Sequence, residues 1–207
     1  IVDIERIVAR LTVGIGNARD MIGLKNSLKN CVSIKQTFTE SNAPEYLKNI
    51  AKEIPLTITE VINLIESTIL EDPKFDPKEG SIIKDGVDKN LDEFRKIVNH
   101  GAEWISDLEK AERERTGINS LKVRYNKVFG FYIEISNSNL NLIPDNYNRK
   151  QTLVNGERFI TPELKKQEEI ILTAEEKLKK IEYEKYLEVL KIILQNIPQI
   201  QETATRI

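Results

Sequence analysis

The sequence predicts a mainly α-helical chain that carries a small antiparallel β-rich tip between two long antiparallel helices. Three observations predict it. Apolar residues recur at helical spacing over residues 2–70, over 87–115 and from 162 to 196. Over 118–160 the period shortens to two, and this stretch lies between the two long helical ones. Charged residues make up 31% of the 207, a proportion that suits long solvated helices better than a compact sphere.

Val2, Ile4, Ile7, Val8 and Leu11 mark the first helix, and Gly14, Gly16 and Asn17 stop it and cap the next. Ala18, Ile22, Leu24 and Leu28 carry that second helix, with Ile34 and Phe38 near its end. Pro44 opens a short helix through Leu47 and Ile50. Ile54, Ile58, Val61, Ile62, Ile65 and Ile69 make a fourth, with Pro55 near its start, where a missing N–H is tolerated. Asp72-Pro73, Asp76-Pro77, Gly80 and Gly86 then break the pattern. Segment 71–86 reads as a loop with a small extended piece at Ile82-Ile83, and it is the clearest internal boundary.

From Val87, the residues Leu91, Phe94, Val98, Gly101, Ile105 and Leu108 step by four and three, the seam of a helix packed lengthwise on another. Thr116-Gly117 stops this helix near Arg115. A second long helix begins at Pro162, capped by Thr161. Leu164, Ile171, Ala174, Leu178 and Ile181 form its stripe. Tyr183, Leu187, Leu190 and Ile193 continue it after a register shift, and Pro198 marks its end. At the helical rise the two are about 44 and 52 Å long, which favours an elongated pair over a compact bundle. The segments are therefore 1–86, a helical region; 87–117, the first long helix; 118–160, the β-rich tip; and 161–207, the second long helix.

In the tip, Leu121, Val123 and Tyr125 alternate with Lys122 and Arg124. After Asn126-Lys127, the residues Phe129, Phe131, Ile133 and Ile135 alternate with Gly130, Tyr132 and Glu134. That is a hairpin with one apolar face. A third extended stretch covers 151–160, and the Asn- and Ser-rich 136–148, with its turn sequence Pro144-Asp145-Asn146, is a loop.

Charge is segregated. The tip holds six cations (Lys122, Arg124, Lys127, Arg149, Lys150, Arg158) against three anions (Glu134, Asp145, Glu157), while the whole chain carries −2. Such a local patch, among Asn, Gln and Thr donors, suits phosphate contacts. Base reading is disfavoured, because no helix or ribbon here is built to enter a groove.

Composition excludes other classes. Cys31 is the only cysteine, which rules out a disulfide framework or a multi-cysteine zinc site and fits a reducing compartment. No apolar run is long enough to span a bilayer. A start at Ile1 rather than methionine reads as a chain cut from something longer. His100 stands alone without a ligand partner, and no nucleophile–base motif appears, so the chain reads as non-catalytic. Trp104, one residue off the seam, is expected to pack against the partner helix. Among Tyr125, Phe129, Phe131 and Tyr132, core packing is favoured over a base-stacking platform, with Tyr132 the candidate for exposure.

The run from Ile118 through Asn119-Ser120-Leu121-Lys122-Val123-Arg124-Tyr125-Asn126-Lys127-Val128-Phe129-Gly130-Phe131-Tyr132-Ile133-Glu134 to Ile135 resembles the clamp hairpin of the MutS family. Residues 147–164, with Arg149-Lys150-Gln151-Thr152-Leu153 and Asn155-Gly156-Glu157-Arg158-Phe159, resemble the clamp's return strand and its junction with the second lever helix. Asp3-Ile4-Glu5-Arg6 and Gly80-Ser81-Ile82-Ile83 are similar to the start of the family's core segment and the entry to its first lever. Gly156 stands where the resemblance leads one to expect alanine.

The resemblance implies a mismatch-repair protein piece spanning core, levers and clamp. The clamp would touch duplex DNA through its backbone, the levers would couple that grip to a distant ATPase, and the longer protein would be a cytoplasmic homodimer. ATP and Mg would belong to that longer protein. This chain contains no phosphate-binding Gly-x-x-x-x-Gly-Lys loop and needs no cofactor of its own. Phe38-Thr39-Glu40 matches the family's mismatch-wedge tripeptide but lies at a helix end without the flanking residues, and it reads as coincidence. The expected DNA contacts are Lys122, Arg124, Asn126, Lys127, Arg149, Lys150, Asn155 and Arg158. The competing reading is a structural coiled-coil arm for protein contacts whose tip charge is incidental.

Overall fold

The computed structural model describes residues 3–40, 44–52 and 55–205. Seven helices and four strands are found among them. In chain order these are α1 (Ile4–Thr12), α2 (Ala18–Glu40), α3 (Glu45–Lys52), α4 (Thr57–Thr68), α5 (Lys89–Thr116), β1 (Lys122–Asn126), β2 (Gly130–Ser136), β3 (Asn148–Thr152), β4 (Gly156–Ile160), α6 (Pro162–Gln195) and α7 (Ile197–Thr205). Val2 and Ile54, expected in the first and fourth helical stripes, lie outside the described residues.

The chain divides into two compact units, Ile1–Leu91 with Leu178–Ile207, and Asp92–Lys177. In the first, short polar residues set the helix ends. Asp3 caps α1 by accepting from the Arg6 amide. Asn17 accepts from the amides of Arg19 and Asp20 while Asp20 accepts from the Asn17 amide, a reciprocal cap that starts α2. The expected stripes then meet. Leu11, Met21, Leu24, Leu28, Ile58 and Ile65 are fully buried in one core with Ile69, Ile82 and Ile83. The extended piece at Ile82-Ile83 is reduced to a single bridge, Ile69 to Ile83. Its turn holds Gly80 and Ser81 at positive φ, and the buried Glu182 carboxylate accepts from the Ile82 amide at 3.3 Å.

Within this first unit the stripe on α6 differs from expectation. Leu187 is 42% exposed, and the buried residues are Glu182, Tyr186, Val189 and Ile193. Ile193 is buried as expected, but ahead of it the phase is one residue off because two polar side chains turn inward with partners: Glu182 reaches the Ile82 amide, and the Tyr186 hydroxyl donates to the Gly16 carbonyl at 3.0 Å. Counting hydrophobicity alone selects the neighbouring stripe. The second long helix ends at Gln195, just ahead of Pro198 as expected, but the chain then adds a further short helix. Asn196 separates the two, and α7 has Pro198 in its first turn and Ile200 and Thr203 buried.

In the second unit α5 and α6 run antiparallel: the Lys177 ammonium lies over the Phe94 ring, and two turns further on Gly101 meets Ile171. A Cβ at Gly101 would collide with the Ile171 side chain, so any larger residue at this seam position would force Ile171 to move. Gly117, at φ 70°, ends α5 with its amide on the Arg113 carbonyl. The Thr161 hydroxyl accepts from the Leu164 amide at 3.1 Å, capping α6 with Pro162 in first position. Between these ends lies a four-stranded antiparallel sheet in the order β1-β2-β4-β3. The expected third extended stretch is thus a second hairpin. Its first strand begins three residues earlier, at Asn148, and the intervening loop contains a 3-10 turn over Asn137–Leu142.

Candidate nucleic-acid interface

The sheet has one apolar and one polar face. Leu121, Ile133, Ile135 and Phe159 are buried with Ile118, Tyr147 and Leu164, and Trp104, Ile105 and Leu108 of α5 pack against them. Each such side chain contributes about 1.5–3 kcal/mol of burial, which fixes the register and turns the alternate residues outward. Trp104 is thus a packing residue, and His100 is exposed on α5.

Helix carboxylates hold the sheet in place, a role the sequence did not disclose. Glu109 accepts from the Val123 amide at 2.8 Å, on the outer edge of β1. Glu168 accepts from the Phe131 amide at 3.3 Å, beyond the reach of β4. Both take backbone donors that an open sheet edge would leave unpaired. Glu112 receives the Tyr147 hydroxyl at 2.5 Å and pairs with Arg115 at 2.6 Å. Burial opposes the charge on Glu112, but the Arg115 and Tyr147 hydrogen bonds prevail and hold its pKa below the ordinary carboxylate value. Burial, reinforced by Glu112, drives the Tyr147 hydroxyl well above the usual tyrosine range. No sequence pattern could have found the partners Val123, Phe131 and Tyr147, since these bonds join residues 14 to 37 positions apart.

On the polar face, register sets Lys122 opposite Glu134 and Glu134 opposite Arg158, and β3 brings Gln151 opposite Arg158. Arg124 stands opposite Tyr132. Tyr132, the aromatic expected to be exposed, is 4% exposed, because the Arg158 guanidinium covers its ring at 4.2 Å. Tyr125 is instead the open one, 48% exposed and tilted against Phe131 at 5.0 Å.

The expected contact residues fall into two groups. Lys122, Arg124, Lys127 and Lys150 are exposed, and their side chains have no hydrogen-bond or ion-pair partner among the described residues. Lys150 sits at a β-bulge between Arg149 and Gln151, which lets an extra cation project from the edge strand. The others have internal partners. Arg149 pairs with Glu157 at 3.1 Å but stays 63% exposed. Arg158 donates to Glu134 at 3.3 Å and to Gln151 at 2.9 Å. Asn126 accepts from the Val128 amide within the hairpin turn. The exposed Asn155 offers its carbonyl to the Asn137 amide, at the turn where Val154 is 91% exposed.

Lys122, Glu134 and Asn155 line one cleft of about 440 Å³ with Ser120, Ser136, Leu153 and Gly156. A Cβ at Gly156 would press into the Ile135 carbonyl. No group of carboxylates, histidines or cysteines that could hold a metal occurs among the described residues.

Residues 86–177, from the entry to α5 through the sheet and into α6, match the family model described as MutS family domain IV. The DNA mismatch repair protein MutS of Halothermothrix orenii is 46% identical over 204 residues, 99% of this chain and 22% of that protein. The MutS proteins of Alkaliphilus oremlandii and Methanosarcina mazei are 48% and 44% identical over 204 and 207 residues, and again 99% of this chain is covered. The chain belongs to the MutS family. It spans less than a quarter of the length of these MutS relatives. The MutS domain IV match encloses the whole sheet and both helix ends that bracket it, so every residue of the basic patch falls inside it. No helix among the described residues is long and apolar enough to cross a membrane.

Proposed function

We propose that this chain is the part of a longer mismatch-repair protein that grips duplex DNA by its phosphates, through the polar side of the sheet, without reading sequence. The observation that carries this reading is the set of unpaired cations: Lys122, Arg124, Lys127 and Lys150 are exposed and keep their full charge for a ligand, on a module whose opposite face is packed against helices. By register Asn126 and Arg158 fall on this polar side, whereas Arg149 stands opposite Phe159 on the exposed edge strand β3 and Asn155 sits in the turn before β4. The long helices α5 and α6 relay the grip to an ATPase elsewhere in the longer protein, which acts in the cytoplasm as a homodimer with ATP and Mg. The chain itself performs no catalysis.

Fluorescence anisotropy of a labelled duplex titrated with the chain at several salt concentrations tests the grip. About four to six phosphate contacts predict a log–log salt slope of roughly −4 to −5. Charge reversal at Arg149→Glu with Lys150→Glu, or at Lys122→Glu with Lys150→Glu, is expected to abolish most of the binding. Wild-type affinity in either variant would refute the assignment, and salt-independent or absent binding would favour the structural arm.

A further inference from the structure

Glu134 lies directly opposite Lys122 across β1 and β2, close enough in register for the two to neutralise each other. They do not pair. Glu134 instead receives Arg158 from the other side, while Gln151 holds a second guanidinium nitrogen and Tyr132 supports its flat face. The Arg158 side chain is 18% exposed and the Glu134 side chain 32%, so the pair is partly shielded from solvent. An arginine so fixed is poorly placed to reach a phosphate, since turning outward would break two hydrogen bonds and a cation–π contact. It is well placed to occupy Glu134.

We propose that Arg158 is a positioning residue of the basic patch. Bound to Glu134, Gln151 and Tyr132, it keeps the one carboxylate on that row of the sheet away from Lys122, so that Lys122 remains a free cation for phosphate. This assignment rests on the DNA-gripping reading for its consequence, but the arrangement itself is measurable without DNA. An ion-paired lysine reacts more slowly with acylating reagents than a free one, because its nucleophilic, deprotonated form is disfavoured.

The test therefore has two arms, both on the full chain, with circular-dichroism melting to check that each variant folds. In the first, Lys122 is competitively acetylated and quantified by mass spectrometry. Its reactivity is expected to fall about twofold to fivefold in Arg158→Gln, as Glu134 turns to it, and to recover in Arg158→Gln with Glu134→Gln. Unchanged Lys122 reactivity in Arg158→Gln overturns the proposal, whatever the chain does with DNA. The second arm is a double-mutant cycle on duplex binding. Arg158→Gln and Lys122→Gln each weaken binding about fivefold and lower the salt slope by about one, and the double variant is scarcely weaker than either. Fully additive losses would make Arg158 a direct phosphate contact and overturn the positioning role. If wild type binds no DNA while the reactivity arm behaves as expected, the gripping reading fails and the Arg158 arrangement stands. Arg158→Lys retains a cation for Glu134 and is expected to restore most of the Lys122 reactivity.

Discussion

Tyr147 and Glu112 are joined by a hydrogen bond between a buried hydroxyl and a largely buried carboxylate that pins the β3 side of the sheet to α5. Its pH dependence follows from the two shifts. Glu112 has a lowered folded pKa, so its contribution is present above the ordinary carboxylate value and is lost as pH falls through the folded one. Tyr147 has a raised folded pKa, so its contribution is present below the ordinary tyrosine value and fades as pH rises above it. Tyr147→Phe is therefore expected to lower stability by about 1–2 kcal/mol at neutral pH, with a smaller difference at both acid and alkaline extremes. Thermal melts of the two proteins across pH would show it, and a difference independent of pH would refute it. Tyr186 supplies a second alkaline signature: burial, with Tyr183 and Asp20 nearby, pushes its hydroxyl up to about 12. Residue roles of this kind were the least legible part of the sequence. The cations of the tip could be named from type and position, but which of them keep a free charge depended on Glu134 and Glu157 across the strands.

Element boundaries were legible where local chemistry sets them. Thr161-Pro162 starts α6 and Gly117 ends α5, as their residue types require. Thr161→Ala is expected to cost about 1 kcal/mol through the lost cap, read by denaturant unfolding. The α5 seam was legible for the same reason, since a step of four and three allows one face only. Gly101→Leu on that seam would force α5 away from Ile171 and is expected to cost about 1–3 kcal/mol by overpacking. An unchanged melting temperature would mean that the two helices are not in contact there. Illegible elements were those whose phase or existence rests on distant partners. The inner face of α6 beyond Leu178 is set by Glu182 and Tyr186 meeting backbone groups in other segments. The split of residues 148–160 into β3 and β4 is set by the Gly156 turn fitting beneath the Ile135 carbonyl. Gly156→Ala is expected to destabilise this chain, because its Cβ would press into the Ile135 carbonyl oxygen, and an unchanged melting temperature would refute this.

For the chain as a whole, net charge and patch charge have opposite signs, so nucleic-acid affinity is expected to reside in the tip. Phosphate contacts carry no base information, and a matched duplex and one bearing a mismatch are expected to bind equally. A reproducible tenfold preference for the mismatch in anisotropy would overturn the sequence-blind grip. Membership of the MutS family was already visible in the residues of the hairpin and its return segment. By itself the sequence determined the two long helices and the β-rich stretch between them, the apolar face of the first hairpin, the caps of the long helices and the place where positive charge gathers. All of these follow from local periodicity, turn chemistry and composition. Only the tertiary structure decided which carboxylates close the sheet edges, which polar side chains belong in the core, and which of six cations are left unpaired. Those outcomes depend on donors and acceptors far apart in the chain, and their energies exist only once folding has brought them together.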